Sequence, residues 1–564
     1  MTDRRQGAGA PPAPPGVVSP SEIRRAAREA LGYRELRPGQ AEAIRAVLSG
    51  HDTLALLPTG GGKSAIYQLA AAERPGPTVV ISPLIALQRD QLEALDEHDR
   101  LGAAAALNST LTGERREELL DAFAAGRLEF ILLAPEQLAE PAVLDRLAAG
   151  RPSLFVVDEV HCISEWGHDF RPEYRRLGSV AEALGRPPIL GLTATASPAV
   201  REEVIEWLRL RDPVIVARGF DRPNIFLAVD TFADAAAKRR AVVDWVRGRE
   251  GSGIVYTATR RAAVEVADEL AAGGIAAAAY HAGLAARRRS EIQDAFMTDD
   301  VRVIVATVAF GMGVDKPDVR FVAHHDVSDG LEAYHQEMGR GGRDGEPAEA
   351  RLFYRADDLG LRRFQGAPAV IDEDAVRAVL RVLARRPPEP VKELARLARL
   401  SVRRTEAIVE RLEVLGAVRV EPDDRVVRIG EQLDAGELSV DVVTAQERRR
   451  RRERSRVDLL RGYAETNGCR RRFLLNDLGE EYEPPCGACD NCLAAAAAGQ
   501  PVPADDAHAG GPFAMNDRVR HVGYGPGIVT RVEDGRIVVA FEDAGYRMLD
   551  VEECLRRGLL VREP

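Results

Sequence analysis

Leu56-Leu57-Pro58-Thr59-Gly60-Gly61-Gly62-Lys63-Ser64 is the stretch from which the rest of the chain is read. An apolar run, Thr53-Leu54-Ala55-Leu56-Leu57, precedes it, and a helix-forming run, Ala65 to Ala72, follows. Strand, glycine turn and helix is the setting in which backbone N–H groups converge on phosphate oxygens. The helix N-terminus adds the positive end of its dipole. Thr59, Gly60, Gly61 and Gly62 form the cradle, Lys63 reaches the β- and γ-phosphates, and the Ser64 hydroxyl holds Mg²⁺. Leu57 stands where the spacing rule asks for glycine. The alternative is a flexible turn before an ordinary helix, but Gly-Gly-Gly-Lys-Ser in this setting points to a nucleoside triphosphate.

Outward from this loop, short apolar runs such as Thr78-Val79-Val80-Ile81 and Leu154-Phe155-Val156-Val157 alternate with Ala/Leu/Glu/Arg-rich stretches over residues 21–211. A second series, including Ile254-Val255-Tyr256 and Val303-Ile304-Val305, occupies 212–367. Near-continuous apolar strands between helices predict parallel sheets covered on both faces, hence two α/β lobes with a nucleotide cleft between them. Asp158-Glu159-Val160-His161 follows the strand at 154–157, where Asp158 is placed to hold Mg²⁺ and Glu159 to polarise the attacking water. An acidic strand end arising by chance is the competing account. Gln336 to Asp344 carries Arg340 and Arg343, three residues apart. On one helix face they would reach the γ-phosphate across the cleft; otherwise they form a solvated basic helix end.

The 564 residues exceed what one core supports, so several domains are expected. Residues 1–20, rich in Pro, Gly and Ala, predict a disordered tail. The apolar and charged fractions, 45% and 29%, are those of a globular chain without membrane-length runs. A net charge of −11 argues weakly against nucleic acid as partner, although local basic clusters matter more than the sum. Six cysteines, four of them crowded near the C-terminus, suggest a metal site in a reducing compartment, the bacterial cytoplasm or nucleoid.

At this point the motifs resemble those of the RecQ family of superfamily-2 DExH DNA helicases. Leu31-Gly32-Tyr33-Arg34-Glu35-Leu36-Arg37-Pro38-Gly39-Gln40 is similar to that family's nucleotide-recognition motif. The resemblance implies that Tyr33 stacks on adenine and Gln40 reads its edge, with Arg37 in support and Gln336 also at the nucleotide. Ser82 to Leu87 and Gly191 to Ala196 resemble the motifs that touch the DNA backbone and couple the lobes, and Ala306 to Arg320 resembles motif V. Cys162 to Pro172 resembles the aromatic-rich loop that senses single-stranded DNA, implying DNA contacts at Trp166, Phe170 and Arg171. Exposed aromatics in a polar loop suit stacking on unpaired bases, while burial between the lobes is the alternative. Val160 and Gly341 each replace an alanine of the family pattern and remove no chemistry.

Beyond the lobes, residues 370–432 predict three helices and a hairpin, a winged helix whose third helix, Val402 to Leu415, carries Arg403, Arg404 and Arg411 as candidate DNA readers. Protein docking is the alternative. The family places such a domain after its zinc module, whereas here it comes before. Arg448 to Arg452, Arg454 and Arg456 predict a phosphate track or a solvated face. Cys469, Cys486, Cys489 and Cys492 have the spacing of a four-thiolate Zn²⁺ site within a module at 440–495, with an iron–sulfur cluster as runner-up. This segment resembles the RecQ zinc module, which implies a DNA contact for Arg470. Residues 496–512 predict a flexible linker. Residues 513–564 predict a small β-barrel similar to the Tudor-like module of UvrD/PcrA helicases, implying RNA polymerase or another protein as partner, with direct DNA binding as the alternative.

The chain is therefore expected to be a multidomain α/β protein: two RecA-like parallel-sheet lobes, a winged helix, a helical zinc module and a β-barrel. Its expected activity is ATP-dependent unwinding of single-stranded-tailed duplex DNA in repair or recombination, with ATP, Mg²⁺ and Zn²⁺. The resemblance implies 3′→5′ movement. The rivals are a DNA-stimulated translocase that remodels protein–DNA complexes without unwinding, and a non-catalytic scaffold.

Overall fold

The computed structural model describes residues 19–563 apart from 59, 84, 97, 109–110, 165–170, 312–315, 366–370, 422–424, 431–433, 503–511 and 534. In the first lobe the strands β1 (Thr53–Leu56), β2 (Thr78–Ile81), β3 (Ala104–Leu107), β4 (Phe130–Leu133), β5 (Leu154–Val157), β6 (Ile189–Thr193) and β7 (Val214–Ala217) make one parallel sheet. Its order is β3-β4-β2-β5-β6-β1-β7. Successive side chains feed opposite cores: Leu54, Val79, Ile81 and Phe155 pack on one face, and Ala55, Val80, Leu154 and Val156 on the other. A strand buried on both faces has to be apolar at every position, which is why these runs do not alternate.

The second lobe repeats the scheme with β8 (Ile225–Thr231), β9 (Ser252–Tyr256), β10 (Ala277–Tyr280), β11 (Val303–Ala306), β12 (Val319–His324) and β13 (Ala348–Tyr354), ordered β10-β11-β9-β12-β13-β8 and all parallel. In both sheets the loops at the C-terminal strand ends carry the motifs, the usual place for ligands in open α/β sheets.

Residues 373–428 supply helices Glu373–Arg385, Val391–Ala398 and Val402–Val414. A small antiparallel sheet of β14 (Glu389–Pro390), β15 (Val418–Val420) and β16 (Arg425–Arg428) accompanies them. The third helix does not present one basic face. Arg411 is 2% exposed and turned inward, and Arg404 pairs with Asp372 at 2.5 Å; Arg403 is exposed. Glu413 of the same helix pairs with Arg176 of the first lobe.

A 31-residue helix, Ala435–Glu465, ties these parts together. Its arginines do not form an open phosphate track. Arg448 pairs with Asp543, Arg449 with Glu410 and Glu453, and Arg452 with Glu203, so several of them bind other domains; Arg451 and Arg454 are exposed. After it come helices Arg470–Asp477 and Asp490–Ala497. The terminal domain has β17 (Arg518–His521), β18 (Gly525–Glu533), β19 (Arg536–Phe541), β20 (Gly545–Asp550) and β21 (Leu560–Arg562), antiparallel in the order β20-β19-β18-β17-β21 around Phe513, Val519, Val529, Ile537 and Phe541. The disordered-tail expectation falls largely outside the described residues, as does half of the linker.

Candidate active site and zinc centre

The glycine loop leaves β1 at Leu56 and enters the helix Ser64–Glu73. Gly60 and Gly62 have φ of 75° and 68°, the left-handed region that a side chain would strain. A Cβ on Gly62 would also come within 2.7 Å of Gln40 Nε2. Gln40 is 2% exposed and braces the loop: its Nε2 donates to Gly62 O at 2.8 Å and Gly61 O at 3.1 Å, and its Oε1 accepts from Arg37 N at 2.7 Å. Tyr33 and Arg37 are exposed beside it. Thr59 lies outside the described residues.

Asp158 and Glu159 stand at the end of β5, and Glu159 has φ of 47°, which turns its carboxylate out of the strand direction. Gln91 Nε2 donates to Asp158 Oδ2 at 2.7 Å and Glu159 N to Oδ1 at 2.9 Å. Burial, then the neighbouring Glu159, pushes the Asp158 carboxyl up to about 6, with Lys63 opposing. A buried carboxylate facing Lys63 at the mouth of a phosphate cradle is suited to a divalent cation, and Asp158 with Ser64 would hold Mg²⁺. His161 Nδ1 lies 3.3 Å from Glu159 Oε2 and 2.9 Å from Thr193 Oγ1, connecting the acidic motif to the end of β6.

The second lobe closes on this site. Its helix Leu331–Met338 ends before Arg340, so the two arginines lie on the following turn rather than on one helix face. The Gly339 and Gly341-Gly342 positions favour that break. Arg222, which the sequence reading passed over, holds the turn by donating to the carbonyls of Gly339 and Gly341 at 2.7 Å and of Gly342 at 2.9 Å. The arginines consequently diverge. Arg343 lies across the phosphate loop, with Cγ and Cδ 3.8 Å from where a Gly60 Cβ would sit. Arg340 is 8% exposed and lies near Gly311, beside the interlobe cleft. Gln336 donates to Thr195 Oγ1 at 2.8 Å, and Glu332, one turn earlier, accepts from Ser197 N at 2.9 Å. Gln336 is thus engaged with the first lobe's Thr195.

The cleft, about 1100 Å³, is lined by Pro83, Arg89, Asn108 and Arg171 from one lobe and Arg289 and Gly311 from the other. Arg171 Nη1 donates to Pro83 O at 2.9 Å. Trp166 and Phe170 lie outside the described residues.

The four thiol sulfurs of Cys469, Cys486, Cys489 and Cys492 lie within 4.8 Å of one another, with Cys486 Sγ and Cys492 Sγ 3.7 Å apart. Zn–S bonds of about 2.3 Å in a tetrahedron require S···S edges of about 3.8 Å, so the set fits zinc. Ala488 N and Cys492 N each donate to a sulfur at 3.4 Å, supporting thiolate charge. Arg470 does not reach solvent. It is 4% exposed and donates to Asp490 Oδ1 at 2.5 Å and Tyr463 O at 2.9 Å. Asp490 Oδ2 in turn accepts from Val229 N at 2.9 Å, fastening the module to β8.

Residues 37–204 match the DEAD/DEAH box helicase model, 237–345 the helicase conserved C-terminal domain, and 426–493 the RecQ zinc-binding domain. The chain is 37% identical over 468 residues to the probable ATP-dependent DNA helicase RecS of Bacillus subtilis, covering 82% of this chain and 90% of that one. The chain belongs to the RecQ helicase family. It is also 34% identical to the ATP-dependent DNA helicase RecQ of Pasteurella multocida, over 82% of this chain but 61% of that relative. A crystal structure of the DUF1998 helicase MrfA bound to DNA shares the fold at a TM-score of 0.52 and 16% identity, covering 75% of this chain and 64% of that one. As a RecQ-type ATP-dependent DNA helicase, the chain uses ATP with Mg²⁺, and its cysteine cluster serves Zn²⁺. No helix among the described residues is long and apolar enough to cross a membrane.

Proposed function

We propose that this RecQ helicase moves 3′→5′ along one strand of a tailed DNA duplex, acting in repair or recombination in the bacterial cytoplasm at the nucleoid. Lys63 and the backbone of Gly60 to Gly62 bind the phosphates, Tyr33, Arg37 and Gln40 the base, and Ser64 with Asp158 the Mg²⁺. When bound, the metal neutralises phosphate charge. Glu159 orients and deprotonates the attacking water, and Arg343 stabilises charge on the transferring phosphoryl group. Arg340 lines the interlobe cleft together with Arg89, Arg171 and Arg289, whose cations suit a phosphate backbone. The observation that supports this reading best is Arg343 of one lobe lying against Gly60 of the other, since an arginine delivered across a cleft makes hydrolysis depend on lobe closure. Strand displacement on 3′-tailed and 5′-tailed duplexes, run beside ATP turnover, tests it. Unwinding confined to the 3′ tail is expected, and unwinding confined to the 5′ tail contradicts the polarity.

A second reading draws on the terminal domain. Val522 is 78% exposed, and beside it Tyr524 is exposed too, its ring stacked on the buried His521 with centroids 4.4 Å apart. This outward apolar corner favours a protein partner such as RNA polymerase, with the motor remodelling a transcription complex. ATP turnover on single strands without duplex separation would favour it.

A further inference from the structure

Residues 171–176 reach three parts of the molecule within six positions. Arg171 lines the interlobe cleft; its Nη1 donates to Pro83 O at 2.9 Å and its backbone N to Cys162 O at 2.8 Å. Tyr174, fully buried in the helical turn Pro172–Arg176, donates from its hydroxyl to Asp158 O at 3.2 Å. Asp158 is the carboxylate assigned to Mg²⁺, so this bond ties the segment to the acidic motif. At the outer end Arg175 lies over Trp207, its guanidinium 4.3 Å from the ring centroid, and Arg176 pairs with Glu413 of the helix Val402–Val414.

The Arg176–Glu413 pair is more than a chance surface contact. Glu413 lies in the last turn of its helix, where a carboxylate opposes the negative end of the dipole. Arg176 stands at the N-cap of the helix Leu177–Ala183, where a cation opposes the positive end. Each charge is misplaced in its own helix and is compensated by the other. The Glu413 side chain is 18% exposed, and its Oε1 also accepts from Val420 N at 2.9 Å, so the same carboxylate braces β15. The domain at 373–428 is itself held from behind. Ile408, Val409 and Leu412 of this helix lie in its core, and Arg449 of the long helix pairs with Glu410. Arg452 of the long helix pairs in turn with Glu203 of the first lobe, into whose core Val538 and Ala540 of the terminal domain also pack. Glu413 therefore presses on Arg176 from a fixed frame.

We propose that the domain at 373–428 is a prop for the cleft rather than a reader of DNA. Arg176 and Glu413 are positioning residues that hold the outer end of residues 171–176. With that end fixed, DNA bearing on Arg171 moves Tyr174 and the Asp158 backbone bonded to it, instead of displacing the whole segment. This rests on the reading of the cleft as the DNA track. Without the pair the outer end yields and DNA stimulates hydrolysis less, while turnover without DNA stays as it was.

The test uses the full-length chain with Arg176→Glu, Glu413→Arg and the double charge swap. ATP turnover is measured without DNA and across a titration of single-stranded DNA, with melting profiles alongside. Each single variant is expected to lower the ratio of DNA-saturated to DNA-free turnover about fivefold or more, a modest coupling between sites, with DNA-free turnover within about twofold of wild type. The swap re-forms the pair with its ends exchanged and is expected to restore the ratio to within about twofold. A helix that reads DNA gives opposite signs instead: Glu413→Arg adds a cation and strengthens the response, and Arg176→Glu weakens it. That pattern overturns the proposal. So does an unchanged ratio in either single variant, a loss that the swap leaves in place, or an equal fall with and without DNA. Should charge reversal prevent folding, Glu413→Gln decides, because it removes the charge and keeps an acceptor for Val420 N. A lowered ratio there supports the positioning role, and a wild-type ratio overturns it. Wild-type turnover indifferent to DNA would refute the cleft reading itself, and this inference with it.

Discussion

Replacing Arg470 with alanine separates two roles that the sequence alone confounds. In a DNA contact the side chain would be exposed and its loss would leave the fold intact. In the structure it is 4% exposed, bonded to Asp490 and to the Tyr463 carbonyl, with the Tyr463 ring centroid 5.7 Å from the guanidinium. Truncation leaves an acceptor unpaired and a carboxylate without its cation. Breaking a buried pair costs about 3–5 kcal/mol, and because the Asp490 side chain is 28% exposed a discounted figure of about 2–3 kcal/mol applies. For a cooperative unit of roughly 150–250 residues, such as the second lobe with its zinc module, that lowers the melting temperature by about 4–12 °C. Calorimetry with zinc quantification reads this directly, and DNA affinity across a salt series reads the alternative. A variant that melts with the wild type, while its salt slope falls by about 0.9 as one phosphate contact is lost, would refute the structural assignment.

His335 gives a pH signature. Burial, together with Arg222, depresses its imidazole to about 4, and its Nε2 lies 3.0 Å from Phe220 O. The unfolded chain takes up a proton near 6.5 that the folded chain refuses until about 4. The contribution is therefore complete above 6.5 and is lost as pH falls towards 4, the loss having reached about 2 kcal/mol by pH 5. Urea unfolding at pH 7 and 5 should show a steeper loss in wild type than in His335→Asn, and equal slopes would contradict it. Removing zinc with a chelator should loosen the contact of residues 488–490 with β8, seen as faster amide exchange at Leu227 and Val229, whose N–H groups bond Ala488 O and Asp490 Oδ2. Unchanged protection there would show that the metal does not hold the joint.

Much of the motor was legible because its strands are short, apolar throughout and capped by motifs whose chemistry is local. The phosphate loop and the acidic pair need only their immediate neighbours to be recognised, and the four cysteines declare themselves by spacing. Arginine was the residue type most often misassigned. Arg411, Arg449, Arg452 and Arg470 read as basic surface, but Arg411 and Arg470 are buried, and Arg449, Arg452 and Arg470 find acids at Glu410, Glu203 and Asp490. No periodicity within their own helices announces such partners. The break between Met338 and Arg340 had a signal in Gly339, Gly341 and Gly342. The docking of the terminal domain had one too: in a free-standing antiparallel domain, 537–541 would alternate apolar with polar, and it does not.

The most direct test of the motor assignment is strand displacement on a 3′-tailed duplex beside ATP turnover, for wild type and Glu159→Gln. Wild type should unwind, and the variant should bind ATP and DNA while turnover and unwinding fall together by about a hundredfold or more, as expected when a general base is lost. Turnover near the wild-type rate in Glu159→Gln would contradict the assignment of Glu159 as the group that activates water.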